Sequence, residues 1–226
     1  IRDAQESRGL GDVYKRQVLG AAGAGTQTIT NNNTLAIADG SGGLASNYTL
    51  SGATINVTVV PRTLNVTLSR EYDGTTSVSG SSLTPTFDSL QGGETLALTG
   101  TGSISNANVG SSKAVTLGTI ALASGSGNPS NYTLNSATMD VTQKVINLDG
   151  IRAYDASTDV LSSDINSFGN IISGETLTIS GTGSVPDNSV EMNKTITLGS
   201  LTIANGSGGT ASNYTLSGVT HTFDIS

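Results

Sequence analysis

The sequence predicts an all-β protein: tandem small modules of β-sandwich or β-grasp-like type, set in an extended array. Three observations carry this expectation. Short segments rich in β-branched residues alternate apolar with polar positions, the period of a half-buried strand. No segment sustains an i, i+3, i+4, i+7 apolar pattern over three turns. The chain also matches itself at a spacing of about 82 residues, which marks a repeat architecture.

Composition bounds the function. Of 226 residues only 12% are charged and 4% aromatic, with 29 glycines, so cores must be built from Val, Ile, Leu and a few Tyr. The net charge of −7 argues against sequence-independent nucleic-acid binding, which rests on clustered Lys and Arg. With no cysteine there is no disulfide framework and no thiolate chemistry. A single histidine excludes a multi-His metal site, and no apolar run is long enough for a membrane-spanning helix.

Residues 1–17 stand apart. They hold four of the ten basic residues (Arg2, Arg8, Lys15, Arg16) and show neither strand nor helix periodicity. Gly9-Leu10-Gly11-Asp12-Val13-Tyr14-Lys15-Arg16-Gln17 resembles a translated sequencing adapter, so 1–17 are expected to be a non-native or disordered leader.

After Gln17 the repeat organises the chain. Asn-Tyr-Thr-Leu occurs at Asn47, Asn131 and Asn213. Tyr72-Asp73-Gly74 matches Tyr154-Asp155-Ala156, Gly93-Glu94-Thr95-Leu96 matches Gly174-Glu175-Thr176-Leu177, and the Lys113 segment matches the Lys194 segment. The expected division is 18–63 as the C-terminal part of a first repeat, 64–145 as a second and 146–226 as a third. Strands are expected at Thr54 to Val59, Leu96 to Thr99, Val115 to Leu117, Thr176 to Ile179 and Thr195 to Leu198. The Gly/Ser/Asn clusters at 124–129 and 205–209 read as turns, with single helical turns near Asp88 and Asp164. Pro61 ends a strand at the first joint.

The ordered set Tyr72-Asp73-Gly74-Thr75-Thr76, Gly93-Glu94, Asn108-Val109-Gly110 with Lys113, and Asn131-Tyr132-Thr133-Leu134 resembles the YDG-type repeat of bacterial filamentous haemagglutinin-like adhesins. Residues 146–226 look like a second copy in which Ala156 replaces the motif glycine and Glu191 stands where Gly110 does. The resemblance implies an exported array of β-rich modules, secreted or at the cell surface, with roles in adhesion or spacing. It carries over no catalytic or ligand residues.

Each candidate site residue has a structural reading beside the functional one. Aligning the third strands on their leucines sets His221 opposite Ile55 and Met139, a packing position. Asp39-Gly40, Asp73-Gly74 and Asp149-Gly150 read as turns before calcium loops, since no EF-hand spacing is present. Asn32, Asn47, Asn56, Asn65, Asn131, Asn193, Asn205 and Asn213 open glycosylation triplets that composition also explains. Glu94 and Glu175 follow glycines in turns, one per module, which speaks for structure over glycosidase chemistry. Lys113 and Lys194 are expected to lie along their modules and meet Asp or Glu of the same copy; Asp73 with Asp155 and Glu94 with Glu175 are the acids present in both. A covalent bond from these lysines to Asn131 or Asn213 is the alternative.

The function expected from all this is the structural and adhesive repeat region of a secreted bacterial surface adhesin. It needs no cofactor and no metal, and its partner is a host or neighbouring-cell receptor or glycan. A glycan-binding module is the alternative, weighed against the absence of Trp and the expectation that the repeated tyrosines are buried. An enzyme would need a site the sequence does not display.

Overall fold

Strand formation follows the period-2 pattern. In the computed structural model, which describes residues 23–29, 36–49 and 55–226, Arg62–Glu71 buries Leu64, Val66 and Leu68 on alternate positions and turns Thr63, Asn65, Thr67, Ser69 and Glu71 outward. Strands appear at Ile55–Val59, Leu96–Thr99 and Leu177–Ser180 as expected; Gly110–Thr116 lies mostly before the expected Val115 to Leu117, and Glu191–Thr195 shares only Thr195 with the expected Thr195 to Leu198, where Thr197 makes an isolated bridge to Ser184. Pro61 falls between Ile55–Val59 and Arg62–Glu71, the joint where one strand ends. The long strands Arg62–Glu71 and Tyr132–Thr142 were not foreseen from the pattern. Among the described residues helix is limited to four 3-10 turns, one of them Ser162–Asp164 as expected; the Asp88 region is not helical. The protein is all-β. The leader 1–17 lies outside the described residues.

The two repeats build the same sheet. In the first, Gly110–Thr116, Tyr132–Thr142, Arg62–Glu71 and Thr86–Phe87 lie in that order. In the second the order is Glu191–Thr195, Thr222–Ile225, Asn147–Arg152 and Ile165–Gly169. The central pair of the second sheet is parallel, with Asp149 beside Thr222 and Arg152 beside Ile225. In the first, Thr101–Ile104 and then Ser77–Ser79 continue the sheet beyond Gly110–Thr116, whereas in the second Asp159–Leu161 and Thr182–Ser184 pair as a separate two-stranded sheet. Gly100 and Gly181 hold positive φ of 81° and 97°, and a Cβ there would meet the Thr119 or Ser200 carbonyl at 2.0 or 2.2 Å, so only glycine fits.

The chain forms two compact units. One comprises 1–64, 89–96 and 122–135; the described part pairs Gly25–Ile29 with Ile55–Val59 and buries Leu64, Leu96 and Tyr132. The other comprises 65–88, 97–121 and 136–226, with a core that includes Leu68, Val78, Met139, Leu148, Val160, Phe223 and Ile225.

Register corrects one alignment. Met139 stands opposite Lys113, and Phe223, not His221, stands opposite Lys194; Met139 and Phe223 are both fully buried. His221 is therefore the counterpart of Ala137, because the third repeat carries two more residues between its Asn-Tyr turn and this strand. Asp149-Gly150 is a second correction. It lies in the inner strand Asn147–Arg152 rather than in a turn, because both neighbours supply ladder partners.

Candidate functional site

The repeated polar residues converge at the boundary between 64–145 and 146–226. Gly174, at φ +86°, allows the turn in which the Glu175 N–H donates to the Ile172 carbonyl at 3.0 Å. That turn presents the carboxylate to two phenols. Tyr72 donates to Glu175 Oε1 at 2.5 Å and Tyr214 donates to Oε2 at 2.7 Å. Their rings meet edge to face, 5.5 Å apart at 80°, and are 5% and 2% exposed. Burial, reinforced by the carboxylate, pushes the Tyr72 phenol up to about 12 and raises Tyr214 likewise. Tyr72 comes from the first repeat, Glu175 and Tyr214 from the second.

Asn213 closes the same boundary. It is 1% exposed; its Oδ1 accepts from the Val109 N–H at 2.9 Å and its Nδ2 donates to Asn108 Oδ1 at 3.0 Å. The connecting segment is stitched down as well. Gln143 Nε2 donates to the Ser212 and Tyr214 carbonyls, Lys144–Val145 pairs in parallel with Tyr214–Thr215, and Lys144 Nζ meets Glu71 Oε1 at 2.9 Å.

The other compact unit contains the corresponding pieces. Glu94, in a turn closed by its N–H to the Gln91 carbonyl, accepts from the Tyr132 phenol, which raises that phenol; burial adds to the effect. Asn131 Oδ1 accepts from the Ala24 N–H at 2.8 Å, as Asn213 does from Val109. A cleft of about 340 Å³ opens there, lined by Val59, Val60, Arg62, Gln91, Glu94 and Tyr132 among others.

Each lysine is aimed by a bulge. Ser112 and Asn193 take positive φ of 52° and 58°, and their N–H groups donate to Asp140 and Asp224 at 2.6 and 2.7 Å. Lys194, 6% exposed, meets Asp187 at 2.6 Å and Glu191 at 3.2 Å, as expected. Those bonds raise the lysine, and Lys194 with Ser189 holds Asp187 well below the usual carboxylate range. Lys113 departs from expectation. It donates to Asn106 Oδ1 at 2.8 Å and to the Asn108 carbonyl, because asparagine stands where the next copy has Asp187, and burial lowers the ammonium, with Arg70 adding to the effect. The lysine ammoniums bond to Asn106 and Asn108 in one copy and to Asp187, Ser189 and Glu191 in the other, while Asn213 bonds to Val109 and Asn108.

Asp73 and Asp155 instead pair with Arg70 and Arg152, at 3.0 and 3.3 Å. These arginines were missed, although they precede the motif tyrosine by two residues in both copies. Arg70 donates to the Thr75 and Ser77 carbonyls, Arg152 to those of Ser157 and Asp159. Each thus staples the loop that follows the motif.

His221 is 3% exposed and fully satisfied: Nδ1 accepts from the Leu148 N–H at 3.0 Å, so Nε2–H donates to the Leu216 carbonyl at 2.9 Å. Asp39 Oδ1 accepts from the Ala45 N–H at 2.6 Å. Among the described residues no three His, Cys, Asp or Glu group together as a metal site would require, and no helix is long and apolar enough to cross a membrane. Burial removes Asn213 as a glycan acceptor; Asn47, Asn56, Asn65, Asn193 and Asn205 are exposed, and Asn32 lies outside the described residues. The tyrosines are not uniformly buried either. Tyr48 is 67% exposed and Tyr154 is 56% exposed.

The YDG domain model matches the chain twice, over residues 58–139 and 141–222. No curated protein and no solved structure matches it. The two matches together cover more than half of the chain: the protein belongs to the YDG domain family and carries two copies of the domain.

Proposed function

We propose that the chain is part of the structural and adhesive repeat region of a secreted bacterial surface adhesin of the filamentous haemagglutinin-like kind. It acts as a stalk or spacer with weak binding spread along it, and its partners are receptors or glycans on host or neighbouring cells. One observation supports this reading above others. The polar residues that recur from copy to copy (Tyr72, Glu175, Asn213, Tyr214, Arg70, Arg152) are consumed in holding modules and loops together. Glu94 and Glu175 are occupied by phenols, and we assign them no catalytic role. The test uses beads coated with the full chain and presented to epithelial and bacterial cells. Weak distributed binding makes adhesion rise steeply with coating density. Absence of adhesion at every density removes the adhesive half of the proposal.

The second reading, a glycan-binding module, is favoured by Tyr48, whose exposed ring provides an aromatic platform. Binding to one glycan on an array, abolished by Tyr48→Ala, supports it over the first.

A further inference from the structure

We propose that the face of the last repeat built around Tyr154 and Val190 is a docking surface for another YDG module, which enters with its Gly-Glu turn and its Asn-Tyr pair. The boundary between 64–145 and 146–226 is the template. There the first repeat contributes Tyr72, Asn108 and Val109, and the second receives them with Glu175, Asn213 and Tyr214.

The last repeat reproduces the contributing side in backbone detail. The Tyr72 N–H donates to the Thr142 carbonyl at 2.9 Å, and the Tyr154 N–H donates to the Ser226 carbonyl at 2.9 Å. Arg152 and Asp155 staple the following loop as Arg70 and Asp73 do. Val190 occupies the place of Val109, immediately before the bulge. The difference lies in coverage. Tyr72 is 5% exposed, whereas Tyr154 is 56% exposed and Val190 64%. A tyrosine and a valine, each more than half exposed, thus sit on backbone that already has the joint geometry, so docking needs little ordering of it.

The match also states its weak points. Ala153 stands at the place of Glu71, so the counterpart of Lys144 loses its ion pair. Ser189 replaces Asn108 and offers the incoming asparagine a shorter acceptor. At Gly74 an added Cβ would lie 3.2 Å from the Ile172 Cγ2, so the Ala156 methyl requires the incoming isoleucine methyl to shift by a few tenths of an ångström. The same methyl would stand 3.8 Å from the carboxylate oxygen that accepts from the phenol, ordinary van der Waals contact that leaves the phenol–carboxylate bond room to form. The proposal is independent of adhesion: it concerns what fits this face, whatever the array does.

Ser226 corresponds to Thr142, so the test appends a second copy of residues 143–226 directly after Ser226 and keeps the natural joint spacing. Tyrosine nitration is mapped by peptide mass spectrometry in the original and extended chains. The expected result is that nitration of Tyr154 falls at least about tenfold on extension, to the level of Tyr72. Glutamine in place of the appended copy's counterpart of Glu175 restores it. Unchanged Tyr154 reactivity overturns the proposal, including the case in which the appended copy fails to fold, because the same sequence folds behind Thr142. Protection that the glutamine substitution leaves intact also overturns it, since the ring would then be covered by some other contact.

Discussion

Glu175→Gln tests the reading of the joint most directly. The carboxylate accepts from two phenols that are 5% and 2% exposed, so neither hydroxyl has water to turn to. Hydrogen bonds to a charged group contribute ~1.5–3 kcal/mol and neutral ones ~0.5–1.5, so neutralising the acceptor weakens each bond by about 1 kcal/mol. Glutamine also replaces one acceptor oxygen with an NH₂ donor, which leaves one phenol to reorient or go unsatisfied. The expected loss is about 2–3 kcal/mol, a fall in melting temperature of about 5–10 °C for a unit of this size. The control is Glu71→Gln, which removes a half-exposed partner of Lys144 and is expected to cost ~0–1 kcal/mol. Calorimetry on the full chain, combined with a double-mutant cycle against Tyr72→Phe, reads both quantities. A coupling of about 1 kcal/mol between the two sites is expected. A fall below about 1 °C, or strictly additive losses, would refute the claim that this carboxylate joins the two repeats.

Other outcomes follow from the same geometry. Because the folded state holds the Tyr72 proton up to about 12 and also raises Tyr214, their contribution to stability is complete below the ordinary phenol range near 10 and is lost as pH rises through the folded values; absorbance at 295 nm should show late-titrating tyrosines that coincide with alkaline unfolding. Asp187 has the opposite sign: held low by Lys194, it stabilises above the ordinary carboxylate pKa and ceases to do so as acid protonates it, so Lys194→Met should flatten the acid limb of a pH–stability curve more than Lys113→Met does. Ala156 has φ +64° where the first repeat has Gly74 at +74°; Ala156→Gly should relieve strain and stabilise by ~0.5–1 kcal/mol, read as a rise in urea midpoint. Arg152→Lys gives up a fork that holds the Ser157 and Asp159 carbonyls beside Asp155, and should cost about 2 kcal/mol by chemical denaturation.

What the sequence determined by itself is local or self-referential. Period-2 alternation made strands such as Leu96–Thr99 and Leu177–Ser180 legible, because a strand's two faces are written in consecutive residues. The repeat was legible because it needs only comparison of the chain with itself. The positions of Glu94 and Glu175 in turns followed from the glycines before them; His221 is buried as its reading as a packing residue required, but that reading used Ile55 and Met139 as counterparts, which the register does not keep, and missed its two hydrogen bonds. Tertiary structure decided what each polar group touches. Lys113 and Lys194 look alike in sequence, but only the fold shows which side chains lie beside each ammonium: Asn106 for one, its counterpart Asp187 together with Glu191 for the other. Asp149-Gly150 has the composition of a turn but becomes an inner strand, since ladder bonds from two neighbours outweigh local preference. The register that pairs Phe223 rather than His221 with Lys194 depends on how a two-residue surplus is absorbed before the strand. Tyr72 and Tyr154 open closely similar motifs, yet Tyr72 is buried against a glutamate more than 100 residues away in the chain while Tyr154 is exposed, a matter of packing that no local pattern records.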